Sequence, residues 1–215
     1  MDKIVIKGQR QLSGKVKISG AKNAVLPIMT AALMADGKST IHKVPNLRDT
    51  RTMIQLMEII GAKCYFKNDR LVINASTVNN PEAPYELVKT MRASFYVLGP
   101  LLARFGKVRV SLPGGCAWGP RPVDFHLKAL EKLGAKITLR KGYILAEANK
   151  LKGANISFEF PSVGATGNIV MAAATADGRT VIENAAREPE IVQLCDYINK
   201  MGGSIDGIGT SRIIV

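Results

Sequence analysis

Ala35-Asp36-Gly37-Lys38-Ser39-Thr40-Ile41 returns as Arg104-Phe105-Gly106-Lys107-Val108-Arg109-Val110 and again as Ala176-Asp177-Gly178-Arg179-Thr180-Val181-Ile182. Each stretch is a glycine turn running into a short strand-like segment. Each leads through a loop into an amphipathic helix, predicted over Thr50 to Ile60, Pro122 to Leu133 and Pro189 to Met201. The apolar stripes are Met53, Leu56, Met57, Ile60; Val123, Leu127, Leu130, Leu133; and Ile191, Leu194, Cys195, Ile198. The turn glycines lie 69 and 72 residues apart, and the glycines that end the helices, Gly61, Gly134 and Gly202, lie 73 and 68 apart. Two independent landmarks therefore share one period, the mark of a repeated unit. Glycine suits a left-handed helix end, and Pro122 and Pro189 stand where a first helical turn tolerates proline.

The remaining parts fit around this frame. Strand-like closures follow the helices at Gly61-Ala62-Lys63-Cys64-Tyr65-Phe66, Gly134-Ala135-Lys136-Ile137-Thr138-Leu139 and Gly202-Gly203-Ser204-Ile205. An apolar helix precedes each copy: Asn23 to Met34, Arg92 to Ala103, and Gly164 to Ala176. The unit reads helix–strand–loop–helix–strand–hairpin–strand, used three times. Helices that are apolar on nearly every side belong in the centre, with sheets outside. The expected fold class is α/β with threefold internal pseudosymmetry.

Composition narrows the function. The 215 residues are 47% hydrophobic and 22% charged, an ordinary globular balance with enough apolar surface for a substantial core. Thirty Lys and Arg against 17 Asp and Glu give +13, which favours anionic partners. These charges are dispersed along the chain, and aromatic residues are only 6%, so small anions are expected rather than nucleic acid. Three Cys without CxxC spacing argue against a disulfide scaffold or zinc site and for a reducing, cytoplasmic setting. Met1-Asp2-Lys3-Ile4 enters a strand-like run directly, so no leader is expected. The longest apolar stretch, within Ala24 to Met34, is too short to cross a bilayer, and no membrane partner is expected.

The repeats also show where the chain departs from its own plan. The first and third loops are short, Pro45-Asn46-Leu47-Arg48 and Ala186-Arg187-Glu188. The second, Pro113 to Arg121, is about twice as long and holds three Gly, the sole Trp (Trp118) and Cys116. An insertion on a repeated scaffold is where function concentrates. A Cys in a Gly-rich loop is a candidate reactive thiol, while Cys64 and Cys195 fall on apolar strand and helix positions and read as structural. The starts of the three apolar helices give a second signal: Ser19-Gly20-Ala21-Lys22-Asn23, Met91-Arg92-Ala93-Ser94 and Ser162-Val163-Gly164-Ala165-Thr166. Free N–H groups and the positive dipole end favour anions there, and Lys22 and Arg92 add charge. Each cation taken singly is equally a solvated surface group.

Three other features carry less. Gly37-Lys38-Ser39-Thr40 mimics the end of a P-loop, but Ala32 stands where glycine is needed and a helix precedes it. Gly207-Ile208-Gly209 is a fragment of a dinucleotide fingerprint. His42 and His126 are isolated in sequence, which supports neither a metal site nor a His-based triad, and His126 reads as edging the core.

Together, Ser19-Gly20-Ala21-Lys22-Asn23-Ala24, Met91-Arg92-Ala93-Ser94, Leu112-Pro113-Gly114-Gly115-Cys116, Gly119-Pro120-Arg121-Pro122-Val123-Asp124, Ser162-Val163-Gly164-Ala165-Thr166 and Ala185-Ala186-Arg187-Glu188-Pro189-Glu190 resemble the UDP-N-acetylglucosamine 1-carboxyvinyltransferases, enolpyruvyl transferases of bacterial peptidoglycan synthesis. The resemblance runs along the whole chain, in order, and corresponds to the N-terminal half of such an enzyme. It implies an inside-out α/β domain of three repeats, about 21–90, 91–160 and 161–215. Residues 1–20 would be a strand segment of a second domain, most of which lies in the other half. The implied partners are phosphoenolpyruvate, UDP-N-acetylglucosamine and that C-terminal domain, with no metal or other cofactor.

The resemblance also assigns residues. Cys116 is the acid that protonates phosphoenolpyruvate and the target of fosfomycin; an ordinary thiol pKa of about 8.5 keeps it mainly protonated at neutral pH. Lys22, Arg92 and Arg121 hold the substrate anions, and Asn23 contacts the reacting groups. Arg121, Pro122, Val123, Asp124 and Phe125, with Ser162, Val163 and Gly164, line the nucleotide site. Some family members carry Lys-Val before the Ser-Val-Gly run; this chain has Phe160-Pro161, so no cation is expected at 160. Two alternatives stay open: a shikimate-pathway enolpyruvyl transferase, against which the Gly-Gly-Cys loop argues, and a non-catalytic basic module that binds nucleotides or nucleic acid.

Overall fold

A computed structural model describes residues 3–8, 11–112 and 123–215. The first repeat contains α1 (Lys22–Ala31), a 3-10 turn over Ala32–Met34, β1 (Lys38–Ile41), α2 (Arg48–Ile60), β2 (Lys63–Lys67) and β3 (Arg70–Asn74). A connector holds β4 (Glu82–Ala83) and α3 (Tyr85–Val88). The second repeat has a 3-10 segment over Arg92–Val97, α4 (Leu98–Phe105), β5 (Lys107–Ser111), α5 (Asp124–Lys132), β6 (Lys136–Arg140) and β7 (Tyr143–Glu147). The third follows with β8 (Asn155–Ser157), α6 (Val163–Ala173), β9 (Val181–Glu183), α7 (Pro189–Lys200) and β10 (Arg212–Ile214).

Each repeat contributes one sheet: β1-β3-β2, β4-β5-β7-β6 and β10-β9-β8. The antiparallel pairs β1/β3, β5/β7 and β9/β10 are equivalent. The strands β4, from the connector, and β8, at the start of the third repeat, each add a parallel edge, to β5 and β9 respectively. The sheets alternate as half-buried strands do: in β3, Leu71 and Ile73 are fully buried while Arg70 is exposed. The apolar helices occupy the centre. Every residue of α6 from Ala165 to Ala173 is buried, as are most of α1 and the first five of α4. The α/β class with helices inside and sheets outside is thus the observed architecture.

Side chains tie the repeats to one another. Arg104 donates to the carbonyls of Leu33 at 2.8 Å and Ala35 at 3.2 Å, joining the second repeat to the first. Tyr197 and Ser39 hydroxyls stand 2.9 Å apart, joining the third to the first. The helix-ending glycines behave as expected, with φ of 104° at Gly61, 93° at Gly134 and 102° at Gly202. Pro189 occupies the first turn of α7, and Pro122 lies outside the described residues.

Two expectations need correction. The helix expected over Arg92 to Ala103 is a 3-10 segment to Val97 and an α-helix from Leu98. Pro100 has no N–H to give to Tyr96. One rung earlier, the Asn168 carboxamide sits between Gly99 and Phe95: Gly99 N–H donates to Asn168 Oδ1 at 2.8 Å, and Asn168 Nδ2 donates to the Phe95 carbonyl at 3.3 Å. The second correction concerns the third repeat, which lacks a full middle strand and keeps only the bridge between Asp206 and Ile214. The Asn199 side chain accepts from Ile205 N–H at 2.8 Å and donates to the Ile205 carbonyl at 3.0 Å. Those two bonds take the place of a strand partner.

Between residues 3 and 20 the described chain pairs with no strand of the domain. Ile4, Val5, Ile6, Leu12, Val16 and Ile18 are all more than three-quarters exposed.

Candidate functional site

Six helical segments begin on one cleft of about 450 Å³. Its wall takes Lys22 from the start of α1, Asp49 from α2, Arg92 from the 3-10 segment leading into α4, Val123 before α5, Val163 from α6 and Glu190 from α7. Two segments come from each repeat, so the pseudosymmetry brings six helical N-termini, with their positive dipole ends, to one volume. The arrangement can hold an anion of several charges without any single residue carrying the full load.

The cations are not left bare. Lys22 Nζ stands 3.0 Å from Asp49 Oδ2. Glu190 brings a second carboxylate to the wall, facing the same space as Arg92. The hydroxyl of Tyr96 donates to the Val163 carbonyl at 3.3 Å, bracing the entry to α6. Burial raises the pKa of that phenol strongly, and Glu190 and Glu188 add to the shift, so it stays a donor.

Of the residues singled out from sequence, Lys22, Asn23, Arg92, Val123, Val163 and Gly164 line this cleft together. Ser162 caps the helix next to it, its Oγ accepting from Ala165 N–H at 3.3 Å as the N-cap of α6. Asp124 lies in the first turn of α5 with Oδ2 3.6 Å from Lys128 Nζ, and its Oδ1 is buried without a partner among the described residues. Phe125 is not part of the cleft wall and packs on Phe160, ring centroids 4.6 Å apart, and on Phe158 at 6.2 Å. Cys116, Arg121 and Pro122 lie outside the described residues. Cys64 and Cys195 are placed as structural: both pack with the core, and burial, the larger cause in each, pushes both thiols up to about 12.

Two further wall residues are buried and polar: His126, read from sequence as edging the core, and Asn168, which that reading did not single out. His126 is buried, its ring meets Phe95 edge-on with centroids 5.0 Å apart, and its Nδ1 lies 3.0 Å from Asn168 Nδ2. Desolvation, followed by the charge of Arg92, pulls its pKa down to about 3, with Asp124 opposing. Asn168 is fully buried in α6, where Thr166 is the other polar side chain. A lone amide in that helix was the available signal, since a buried amide must find partners. Among the described residues, no group of His, Cys, Asp and Glu could hold a metal ion, and no helix is long and apolar enough to cross a membrane.

An inside-out domain of three repeats with a cleft ringed by helix starts defines a class, and comparison agrees. The chain belongs to the EPSP synthase (3-phosphoshikimate 1-carboxyvinyltransferase) family, whose model matches residues 6–215. Within it, the chain is 56% identical to the UDP-N-acetylglucosamine 1-carboxyvinyltransferase of Chlorobaculum parvum, covering 100% of this chain and 51% of that one. It is 57% identical to the protein of the same name from Chloroherpeton thalassium, covering 99% and 50%. The chain therefore spans about half the length of the curated relatives it matches. Among solved structures, the enolpyruvyl transferase NikO from Streptomyces tendae superposes with a TM-score of 0.84 at 21% identity, covering 96% of this chain and 49% of its own. EPSP synthase from Acinetobacter baumannii gives 0.68 at 18%, covering 94% and 46%. At those identities the likeness is one of fold.

Proposed function

We propose that this chain forms the N-terminal half of an enzyme that transfers the enolpyruvyl group of phosphoenolpyruvate to the 3′-hydroxyl of UDP-N-acetylglucosamine, with release of phosphate. The observation that carries this reading is the cleft where Lys22, Asn23 and Arg92 meet the N-termini of six helical segments, in a chain more than half identical to enzymes of that name. The shikimate reading is not favoured, because the likeness to EPSP synthase structures is at the level of fold. The basic-module reading is not favoured either, because relatives more than half identical over the whole of this chain carry the carboxyvinyltransferase name.

The chemistry asks for an acid, a base and an anion cradle. A proton is delivered to the methylene carbon of phosphoenolpyruvate as the sugar hydroxyl adds to the adjacent carbon. Phosphate then leaves as the methyl group so formed loses a proton, which restores the double bond on the new ether. In this reading Cys116 supplies the proton, and Lys22, Arg92 and Arg121 hold phosphate, carboxylate and diphosphate. Asn23 lies beside the reacting carbons. Pro122, Val123, Asp124, Phe125, Ser162, Val163 and Gly164 shape the nucleotide side, with Phe125 acting through its Phe158–Phe160 stack. Residues 21–215 are the three-repeat domain, and the segment that carries the exposed Ile4, Val5, Ile6, Leu12, Val16 and Ile18 completes a second domain. The setting is the bacterial cytoplasm, the pathway peptidoglycan synthesis, and fosfomycin the expected inhibitor.

The test is to compare the chain alone with the same chain fused to the second half of the Chlorobaculum parvum relative. The fusion should release phosphate and form enolpyruvyl ether in equal amounts from phosphoenolpyruvate and UDP-N-acetylglucosamine, and the chain alone should form neither. Product from the chain alone, or a fusion that uses shikimate 3-phosphate instead, would contradict the reading.

A further inference from the structure

Asn168 offers one oxygen and two N–H groups, and the fold determines where each must point. Gly99 N–H can only donate, so the atom 2.8 Å from it is the amide oxygen. The Phe95 carbonyl can only accept, so the atom 3.3 Å from it is the amide nitrogen. Those two backbone groups are four residues apart, and the carboxamide replaces the rung between them, so its orientation follows from helix polarity. The second N–H of the same nitrogen lies 3.0 Å from His126 Nδ1. That ring nitrogen must therefore accept, which puts the imidazole proton on Nε2.

The other ring edge lies against the start of α6. A side chain on Gly164 would stand 3.1 Å from His126 Cε1 and 3.2 Å from Nε2, so the ring comes this close to the start of α6 only because residue 164 has none. His126, Gly164 and Asn168 all belong to the cleft wall. The charged groups nearby are Arg92 from the segment before α4 and Asp124 at the start of its own helix. Lys22, Asp49 and Glu190 complete the charged wall.

We propose that Asn168 is a positioning residue that holds His126 as the neutral Nε2–H tautomer, giving the cleft an uncharged donor for an oxygen of the bound sugar nucleotide. The proposal rests on the function proposed above for its ligand, but the tautomer rests on the protein alone. A charged imidazolium would add a third cation beside Arg92 and turn an N–H toward an N–H. A neutral donor instead reads position without adding charge, complementing Lys22 and Arg92. The acceptor is either a diphosphate oxygen or an oxygen of the acetamido sugar.

The experiment is nitrogen-15 NMR of histidine-labelled chain between pH 5 and pH 8, with a His42→Gln sample to assign the two rings. His126 should show a bare Nδ1 and a protonated Nε2 throughout that range. Asn168→Asp should move the proton to Nδ1, and if that variant does not fold, the wild-type spectrum still decides. Adding UDP-N-acetylglucosamine should shift the Nε2–H signal; a shift with UDP as well assigns the diphosphate, and a shift with the full sugar nucleotide only assigns the sugar. A proton on Nδ1, an imidazolium anywhere in that pH range, or an Nε2–H that stays unmoved while the ligand binds would overturn the proposal. Failure of calorimetry to detect any sugar-nucleotide binding would count against the proposed function, and the tautomer would then decide the role of Asn168 by itself.

Discussion

Lys22 at the start of α1 is held by Asp49 at the start of α2, Nζ to Oδ2, at 3.0 Å. Both side chains are about a third to a half exposed, so the pair adds little to stability. Its consequence lies in binding, because an arriving anion must compete with Asp49 for the ammonium group. Asp49→Asn should change unfolding free energy by less than about 1 kcal/mol. It should tighten UDP-N-acetylglucosamine binding several-fold at low salt, with the gain shrinking at high salt. Calorimetry at two ionic strengths checks this; weaker binding by the variant would show that Asp49 supports the ligand instead of competing with it.

Thiol chemistry should be confined to one position. Burial and the neighbouring carboxylates of Glu58 and Asp196 raise Cys64 and Cys195 to about 12, which leaves almost no thiolate at neutral pH. A thiol reagent at pH 7, and fosfomycin with UDP-N-acetylglucosamine on the fused chain, should both modify Cys116. Peptide mapping by mass spectrometry reads the outcome, and an adduct on Cys64 or Cys195 ahead of Cys116 is the adverse result.

The buried imidazole should shape the acid limb of stability. His126 titrates near 3 when folded against an ordinary 6.5, so between those values the unfolded chain holds a proton the folded chain refuses. Its contribution is complete above pH 6.5 and drains away toward pH 3, at a slope of roughly 1.4 kcal/mol per unit at most. Urea midpoints measured from pH 7.5 down to pH 4 should fall more steeply for wild type than for His126→Gln. Parallel curves would mean that the ring is protonated in the fold.

The helix-ending glycines offer a paired comparison. Both Gly61 and Gly134 have φ near +100°, so alanine at either carries backbone strain of about 1–2 kcal/mol. At Gly134 the new methyl meets open space, whereas at Gly61 it would lie 2.8 Å from Asn79 Oδ1 and 2.9 Å from the Thr77 carbonyl. Gly61→Ala should therefore cost at least about 1 kcal/mol more than Gly134→Ala. Denaturant melts giving equal losses would disprove the close approach.

What could be read from sequence was what is local. Glycine at a helix end, proline in a first turn and a stripe at helical spacing are each decided within a few residues, so three repeats with central helices are legible in the sequence itself. The same locality exposed Lys22, Arg92 and Val163 as helix starts. The misses were all long-range. Asn168 enters the helical ladder of Phe95 and Gly99, some seventy residues earlier, and reaches His126 at a separation of 42. Asn199 replaces a strand partner for Ile205 through its side chain, which no strand pattern encodes.

The central claim is that the cleft joining the helix starts receives the sugar nucleotide. Calorimetric titration of UDP-N-acetylglucosamine into wild-type chain, Lys22→Ala, Arg92→Ala and a control, Lys67→Ala on the exposed strand β2, tests it most directly. Loss of a charge-assisted contact should weaken binding at least about tenfold in Lys22→Ala and Arg92→Ala. The control should match wild type. Equal affinity across all four proteins, or a loss only in the control, would place the ligand elsewhere and contradict the account.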